Sequence, residues 1–170
     1  MLPPLSSQLI FIALGSNLGD SPHLLVKAVA RLRCLSDEPL LESSLWETTP
    51  VDCPPGSPPF INAVVGLVPR EGETPETLLD KLQLIEQDFG RPPKTVANEP
   101  RPLDLDLIAW GNETRSMPKL TLPHPRAHLR RFVLQPLSEI APELILPSQM
   151  KTIRGLLANL NSAEVVRKLT

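Results

Sequence analysis

Two aspartates, Asp104 and Asp106, flank a single leucine in the stretch Pro100-Arg101-Pro102-Leu103-Asp104-Leu105-Asp106-Leu107-Ile108-Ala109-Trp110. From Leu103 onward, branched and aromatic apolar residues alternate with these acids at a period of two, the pattern of a β-strand. That period puts both carboxylates on one face and Leu103, Leu105 and Leu107 on the other. Residues two apart on a strand are about 6.5 Å apart at Cα, so their carboxylates converge readily on one or two hard cations. Paired Mg2+ ions in enzymes that displace phosphoryl oxygens sit about 3.5–4 Å apart. Arg101 stands just ahead of the strand, where it would meet an anion held by such ions. An acidic pair on an apolar strand has an electrostatic cost that a divalent ion removes. Alternation also describes the solvated face of an ordinary half-buried strand. The surroundings must decide between these two.

Charge along the chain supplies a complement. Between Arg115 and Ser138 there is no acid, while Arg115, Lys119, His124, Arg126, His128, Arg130 and Arg131 are cations or potential cations. Arg91 and Lys94 precede Arg101 in the loop ahead of the strand. Cations around paired carboxylates suit a polyphosphate–Mg2+ complex, although a solvated basic face is the usual fate of such a run. A G-x-x-x-x-G-K-[ST] loop is absent, so a triphosphate would be held by side chains and metal.

The elements that must position these groups are legible as well. Residues 8–14 form a short apolar run expected to be a buried strand, with Gly15–Asp20 as a turn and Ser21-Pro22 starting a helix to about Arg33. Strands are expected over Leu40–Glu47 and Phe60–Val68. Thr74-Pro75-Glu76 caps a second helix, lined by Leu78, Leu82, Ile85 and Phe89 and stopped by Gly90. With the Asp104/Asp106 strand the order is βαββαβ, an α+β class with a ferredoxin-like antiparallel sheet and helices on one face. A C-terminal hairpin strand over Thr114–Leu120 and short helices over Phe132–Glu139 and Ile153–Leu160 complete the expectation. Two connections, Thr48–Pro59 and Gly90–Pro102, are longer than folding needs, and such loops usually bind or close over something.

At 170 residues the chain is expected to be one domain, with a core over about 8–160. A net charge of −2 argues against general nucleic-acid binding. No apolar run approaches the roughly 20 residues of a membrane span, and no signal segment is evident. Cys34 and Cys53 suit a reducing cytoplasm better than a disulfide scaffold. Most of the 21 prolines cluster in three loops, marking ordered connections rather than a low-complexity tail.

Several blocks occur together in register: Ala13-Leu14-Gly15-Ser16-Asn17-Leu18-Gly19, Phe60-Ile61-Asn62-Ala63, Glu86 with Gly90-Arg91, Pro100–Asp106, Leu122-Pro123-His124-Pro125-Arg126, and Phe132–Pro142. The chain thereby resembles the 6-hydroxymethyl-7,8-dihydropterin pyrophosphokinase family of folate biosynthesis. The resemblance implies transfer of the β,γ-diphosphate of ATP to the hydroxymethyl group of 6-hydroxymethyl-7,8-dihydropterin, releasing AMP, by a monomer. It implies two Mg2+ ions on Asp104 and Asp106, with Arg91 and Arg101 neutralising charge around the transferred group. On the pterin side it implies Asn62 against the ring edge, Phe60 and Phe132 against its faces, and backbone from Thr48 to Val51. On the nucleotide side it implies Gln83, Glu86, Arg101, Lys119, Thr121, His124 and Arg130. Asn98-Glu99 stands where many members have Trp-Gly, a change that bears on loop closure and affinity. Two other readings share parts of the pattern. A nucleotidyltransferase would use Gly15-Ser16 with the aspartates, but in that class the pair follows within about a dozen residues. A non-catalytic ferredoxin-like module would leave the facing acids and flanking arginines without a role.

Overall fold

A computed structural model describes residues 9–50, 53–91 and 100–169. Val51, Pro93, Lys94, Asn98 and Glu99 therefore lie outside the described residues. Among those described, no helix is long and apolar enough to cross a membrane.

Strands β1 (Ile10–Ser16), β4 (Phe60–Leu67) and β5 (Asp104–Trp110) form the centre of an antiparallel sheet. Helix α1 (Ser21–Arg33) follows β1, and α2 (Pro75–Asp88) follows β4. The short strands β2 (Leu41–Glu42) and β3 (Trp46–Thr48) both pair with β4. The order β5-β1-β4-β3, with all neighbours antiparallel, is the ferredoxin-like arrangement that the alternation of elements foretells. A hairpin of β6 (Arg115–Met117) and β7 (Leu120–Leu122) stands beside β5. Helices α3 (Arg131–Ile140) and α4 (Ile153–Asn159) follow, and the chain returns as β8 (Val166–Lys168), which adds to the outer edge of β3.

The expected strand over Leu40–Glu47 is interrupted. Between β2 and β3, Ser43–Leu45 oppose only Ala63 and Val64, which makes a β-bulge. Ser43 bridges the irregularity: its N–H donates to the Val64 carbonyl at 3.0 Å, and its hydroxyl accepts the Val64 N–H at 2.9 Å. Glu139, at the end of α3, holds the bulge from outside through Ser44 and the Trp46 indole N–H. Capping differs in detail too. Asp20, not Ser21, accepts from the first turn of α1, because the Ser21 hydroxyl is engaged with Ser16 at 2.8 Å. Thr74 and Thr77 form a reciprocal capping box at the start of α2.

The sheet is covered on both faces rather than one. Ile10, Ile12, Leu14, Ala63, Val65, Leu103, Leu105 and Leu107 pack against Leu25, Ala28 and Leu32 of α1 and Leu78, Leu82 and Ile85 of α2. On the opposite face, Phe11, Val64, Ile108 and Ala109 pack against Val133, Leu134 and Leu137 of α3 and Ile153 of α4. This double burial is why β1 and β4 read as nearly continuous apolar runs. Each fully buried leucine or isoleucine contributes about 1.5–3 kcal/mol by removal from water. The second face is apolar only over part of its length. Where α3 begins, the same strands present Asp104, Asp106, Gly15 and Asn62 instead.

Candidate active site

The floor of the site is a row across three strands. Gly15 of β1 is paired with Asp104 of β5 on one side and with Asn62 of β4 on the other. Ala13 likewise stands beside Asp106. Gly15 and Ser16 thus belong to β1, not to the turn expected there. Glycine has a steric reason at this point: a Cβ on Gly15 would lie 3.1 Å from the Asn62 amide nitrogen and 3.7 Å from the Phe60 ring. The Thr48 hydroxyl donates to Asn62 Oδ1 at 2.7 Å in a buried contact, which turns the amide nitrogen over Gly15.

Above this floor is a cavity of about 350 Å3. Phe60 and Phe132 line it, each with a guanidinium over its ring: Arg101 at 5.6 Å from the Phe60 centroid and Arg130 at 5.4 Å from that of Phe132. Asp104, Asp106, Thr48 and Asn62 line it as well. The structure therefore brings together the two aspartates, Arg101, Arg130 and the aromatic pair, while Val51 lies outside the described residues.

Arg101 is fixed through its backbone. Asn17, buried after β1, accepts the Arg101 N–H at 2.9 Å and donates its own N–H to the Arg101 carbonyl at 3.1 Å. Its amide also reaches the Pro58 carbonyl at 3.3 Å, tying in the loop before β4. The Arg101 Nε is buried without a hydrogen-bond partner among the described residues, 3.9 Å from Asp104 Oδ2. A buried, unsatisfied cationic donor at the edge of a cavity is a place for an incoming anion.

Arg91 follows α2 and lies at the base of the loop, held in place. Its Nη1 donates to Glu86 and, at 2.7 Å, to Asp104 Oδ1. Glu86 also accepts the Leu105 N–H at 2.9 Å, so a residue of α2 satisfies the free edge of β5. Burial pushes the Glu86 carboxyl up to about 7, against the pull of the Leu105 N–H and Arg91. Burial, with the Asp104 charge beside it, likewise raises Asp106 from its ordinary value near 3.8 to about 7. A carboxyl whose pKa is higher folded than unfolded disfavours the fold once ionised. In a metal chelator, the Asp106 contribution should therefore be lost as pH rises from near 3.8 through about 7. Thermal unfolding checks this: Asp106→Asn should melt above the wild type at about pH 8 and lose that advantage at about pH 4. Equal differences at both pH values would contradict it.

Gln83, Lys119, Thr121 and His124 do not line the cavity. Gln83 is exposed on α2, and Lys119 and Thr121 are exposed on the β6–β7 hairpin. These elements flank the outer edge of β5, with His124 donating its N–H to the Ile108 carbonyl at 2.8 Å. Burial, then Arg130 and Arg126, lowers the His124 pKa to about 4. His124 is thus neutral near pH 7 rather than a cation, and its Nδ1 accepts the Arg126 N–H at 3.2 Å. The other ring nitrogen is left to carry the proton as a donor. The basic run divides: Arg115 is committed to Glu76 and Glu113, Arg131 to the Leu160 carbonyl, and Arg126 and Arg130 face the cavity.

The family model of 7,8-dihydro-6-hydroxymethylpterin-pyrophosphokinase matches residues 11–142. The chain belongs to this pyrophosphokinase family. It is 41% identical over 140 residues to the 2-amino-4-hydroxy-6-hydroxymethyldihydropteridine pyrophosphokinase of Haemophilus influenzae, covering 81% of this chain and 84% of that protein. It is 38% identical over 154 residues to the Synechocystis sp. protein of the same name, covering 91% of this chain and 77% of the relative. In fold it resembles the wild-type HPPK-DHPS protein of Plasmodium falciparum, solved with pteroate, at a TM-score of 0.69 and 15% identity. That likeness covers 88% of this chain, which spans 42% of the longer one.

Three contributors to the pyrophosphokinase site were not singled out by residue type. Asn17 fixes Arg101 from a motif whose visible signal was its glycines. Thr49 lies within the Thr48–Val51 backbone that the resemblance implies, while Glu164 lines the cavity beside residues far from it in sequence, so no spacing points to it.

Proposed function

We propose that this pyrophosphokinase uses ATP as donor, passing its β,γ-diphosphate to the hydroxymethyl oxygen of 6-hydroxymethyl-7,8-dihydropterin and releasing AMP. The observation that carries the proposal is one cavity with aromatic walls at one end and, at the other, two carboxylates beside an unsatisfied arginine. Phe60 and Phe132 give a flat ring two apolar surfaces, and the Asn62 amide nitrogen offers its edge a donor. The alcohol oxygen forms a bond to the β-phosphorus, the bond from that phosphorus to the oxygen of AMP breaks, and the alcohol proton leaves to solvent.

Phosphoryl-type transfer asks a protein chiefly for position and charge. Arg101 supplies a fixed cation with an open Nε, and Arg91 a second cation poised between Glu86 and Asp104. Neutral His124 donates rather than accepts, which suits a phosphate oxygen and not the role of base. Among the described residues no cluster of three metal-binding side chains is present. Two carboxylates nevertheless fit Mg2+, which keeps several waters and completes its shell with substrate phosphates. Asp104 and Asp106 would hold two such ions, which supply charge neutralisation when bound. Arg91 engages Oδ1 of Asp104, so the second oxygen of that carboxylate would be the one offered to an ion.

Gln83, Glu86, Lys119, Thr121, His124 and Arg130 are assigned to the nucleotide, along the outer edge of β5 and the adjoining rim. The working form proposed is a monomer, acting in the cytoplasm. Incubation with ATP, Mg2+ and the pterin alcohol tests the proposal by its nucleotide product. AMP with the pterin diphosphate is expected. ADP would make the chain an ordinary kinase, and no nucleotide product would favour a binding module.

A further inference from the structure

The aromatic wall contributed by Phe132 stands on the first turn of α3, where backbone N–H groups have no partner inside the helix. Arg130, the residue that precedes the helix, makes no capping hydrogen bond through its side chain. The missing acceptor comes from elsewhere: Glu164 Oε2 accepts the Phe132 N–H at 3.1 Å, and Glu164 itself lines the cavity. A carboxylate at this end of a helix is also favoured by the helix dipole.

Glu164 is in turn held by a segment that runs across the open side of the site. Arg131 donates to the Leu160 carbonyl at 3.2 Å, and the Ser162 hydroxyl accepts the Glu164 N–H at 3.1 Å. The Thr49 N–H donates to the Val165 carbonyl at 3.1 Å, and the Val165 N–H returns to the Thr49 hydroxyl at 3.1 Å. Strand β8 then continues along β3, and the Leu169 N–H reaches the Leu45 carbonyl at 2.9 Å. Thr48, next to Thr49, is the residue that orients Asn62. A single stretch, residues 160–169, therefore joins the two sides of the pterin pocket: the start of α3 with Phe132, and the end of β3 with Thr48 and Asn62. It lies beyond the residues that the family model matches.

We infer that residues 160–169 form a strap that sets the width of the pterin pocket, with Glu164 as a positioning residue that locks Phe132 in register with Asn62. The inference rests on the pyrophosphokinase reading above. Glu164 acts through the Phe132 backbone and needs only an acceptor oxygen, so Glu164→Gln and Glu164→Ala separate this role from others. Leaving the Phe132 N–H without an acceptor costs enough to change an equilibrium about tenfold or more.

The test measures KM for the pterin alcohol, KM for ATP, kcat and Tm in wild type and three variants. Glu164→Ala should raise the pterin KM about tenfold or more while leaving the ATP KM within about threefold. Glu164→Gln should recover most of the loss. Thr49→Val, which removes the acceptor for Val165 without touching Glu164, should raise the pterin KM in the same direction by less. An Ala variant with wild-type pterin KM overturns the inference, as does an equal rise in both KM values with a fallen Tm. A Gln variant as poor as Ala overturns it as well, since that result assigns the carboxylate to direct substrate contact. A wild type that makes no AMP overturns the pyrophosphokinase reading and the strap's role with it.

Discussion

Asp104→Asn and Asp106→Asn should each lower turnover on the order of a thousandfold or more, the scale of losing a principal electrostatic stabiliser. Both side chains arise from one strand, face one cavity and sit beside residues with no bulk, Gly15 and Ala13. Each amide keeps the shape of the acid and removes the charge that would hold Mg2+. Their consequences outside catalysis differ. Asp104→Asn also deprives Arg91 of one of its two carboxylate partners, so that arginine is left with Glu86. Among the described residues Asp106 has no such partner, and its half-buried charge opposes folding, so Asp106→Asn should be inactive yet more stable in chelator. Steady-state rates across a Mg2+ titration decide the matter. Near-normal turnover for both variants would refute the assignment of the two acids.

Arg101→Ala should lower kcat about a hundred- to a thousandfold with a much smaller change in the KM for ATP. The side chain is already immobilised by the Asn17 clamp on its backbone and by the Phe60 ring, so no ordering is left for the moment of reaction. Among the described residues its Nε has no hydrogen-bond partner, which leaves it for an anion. An interaction of that kind is strongest when negative charge is redistributed between donor and acceptor oxygens. Arg101→Lys should recover little, because a lysine has neither the Nε donor nor the planar fork. Rates and KM values for ATP in the three proteins check this. A large rise in KM for ATP with unchanged kcat would assign Arg101 to ground-state binding.

Local chemistry made much of this legible in the sequence. The alternation around Asp104 and Asp106 fixes their common face, and the capping signals at Thr74-Pro75 and the apolar stripes of α1 and α2 mark the helices that cover the other. What the sequence hid was set by distant partners. The helices α3 and α4 are expected from the sequence, but their covering of the second face leaves a trace only in the continuity of the β1 and β4 runs. Glu139 holds the β2–β3 bulge from 95 and 93 residues away, through Ser44 and Trp46. Strand β8 is only three residues long, too short for an alternation to stand out. Arg91, at the base of a proline-rich loop, reads from composition as mobile. A buried glutamate on the preceding helix and an aspartate on the following strand hold it instead. His124 reads as a potential cation until its burial and its arginine neighbours are known.

The hydroxyl of Thr48 has a consequence for molecular choice. With that hydroxyl on Asn62 Oδ1, the amide nitrogen is the end left facing Gly15. The pocket therefore presents a donor at this point of its floor. A guest with hydrogen where a lone pair is called for would meet hydrogen with hydrogen, and relief would require the amide and the Thr48 hydroxyl to turn together.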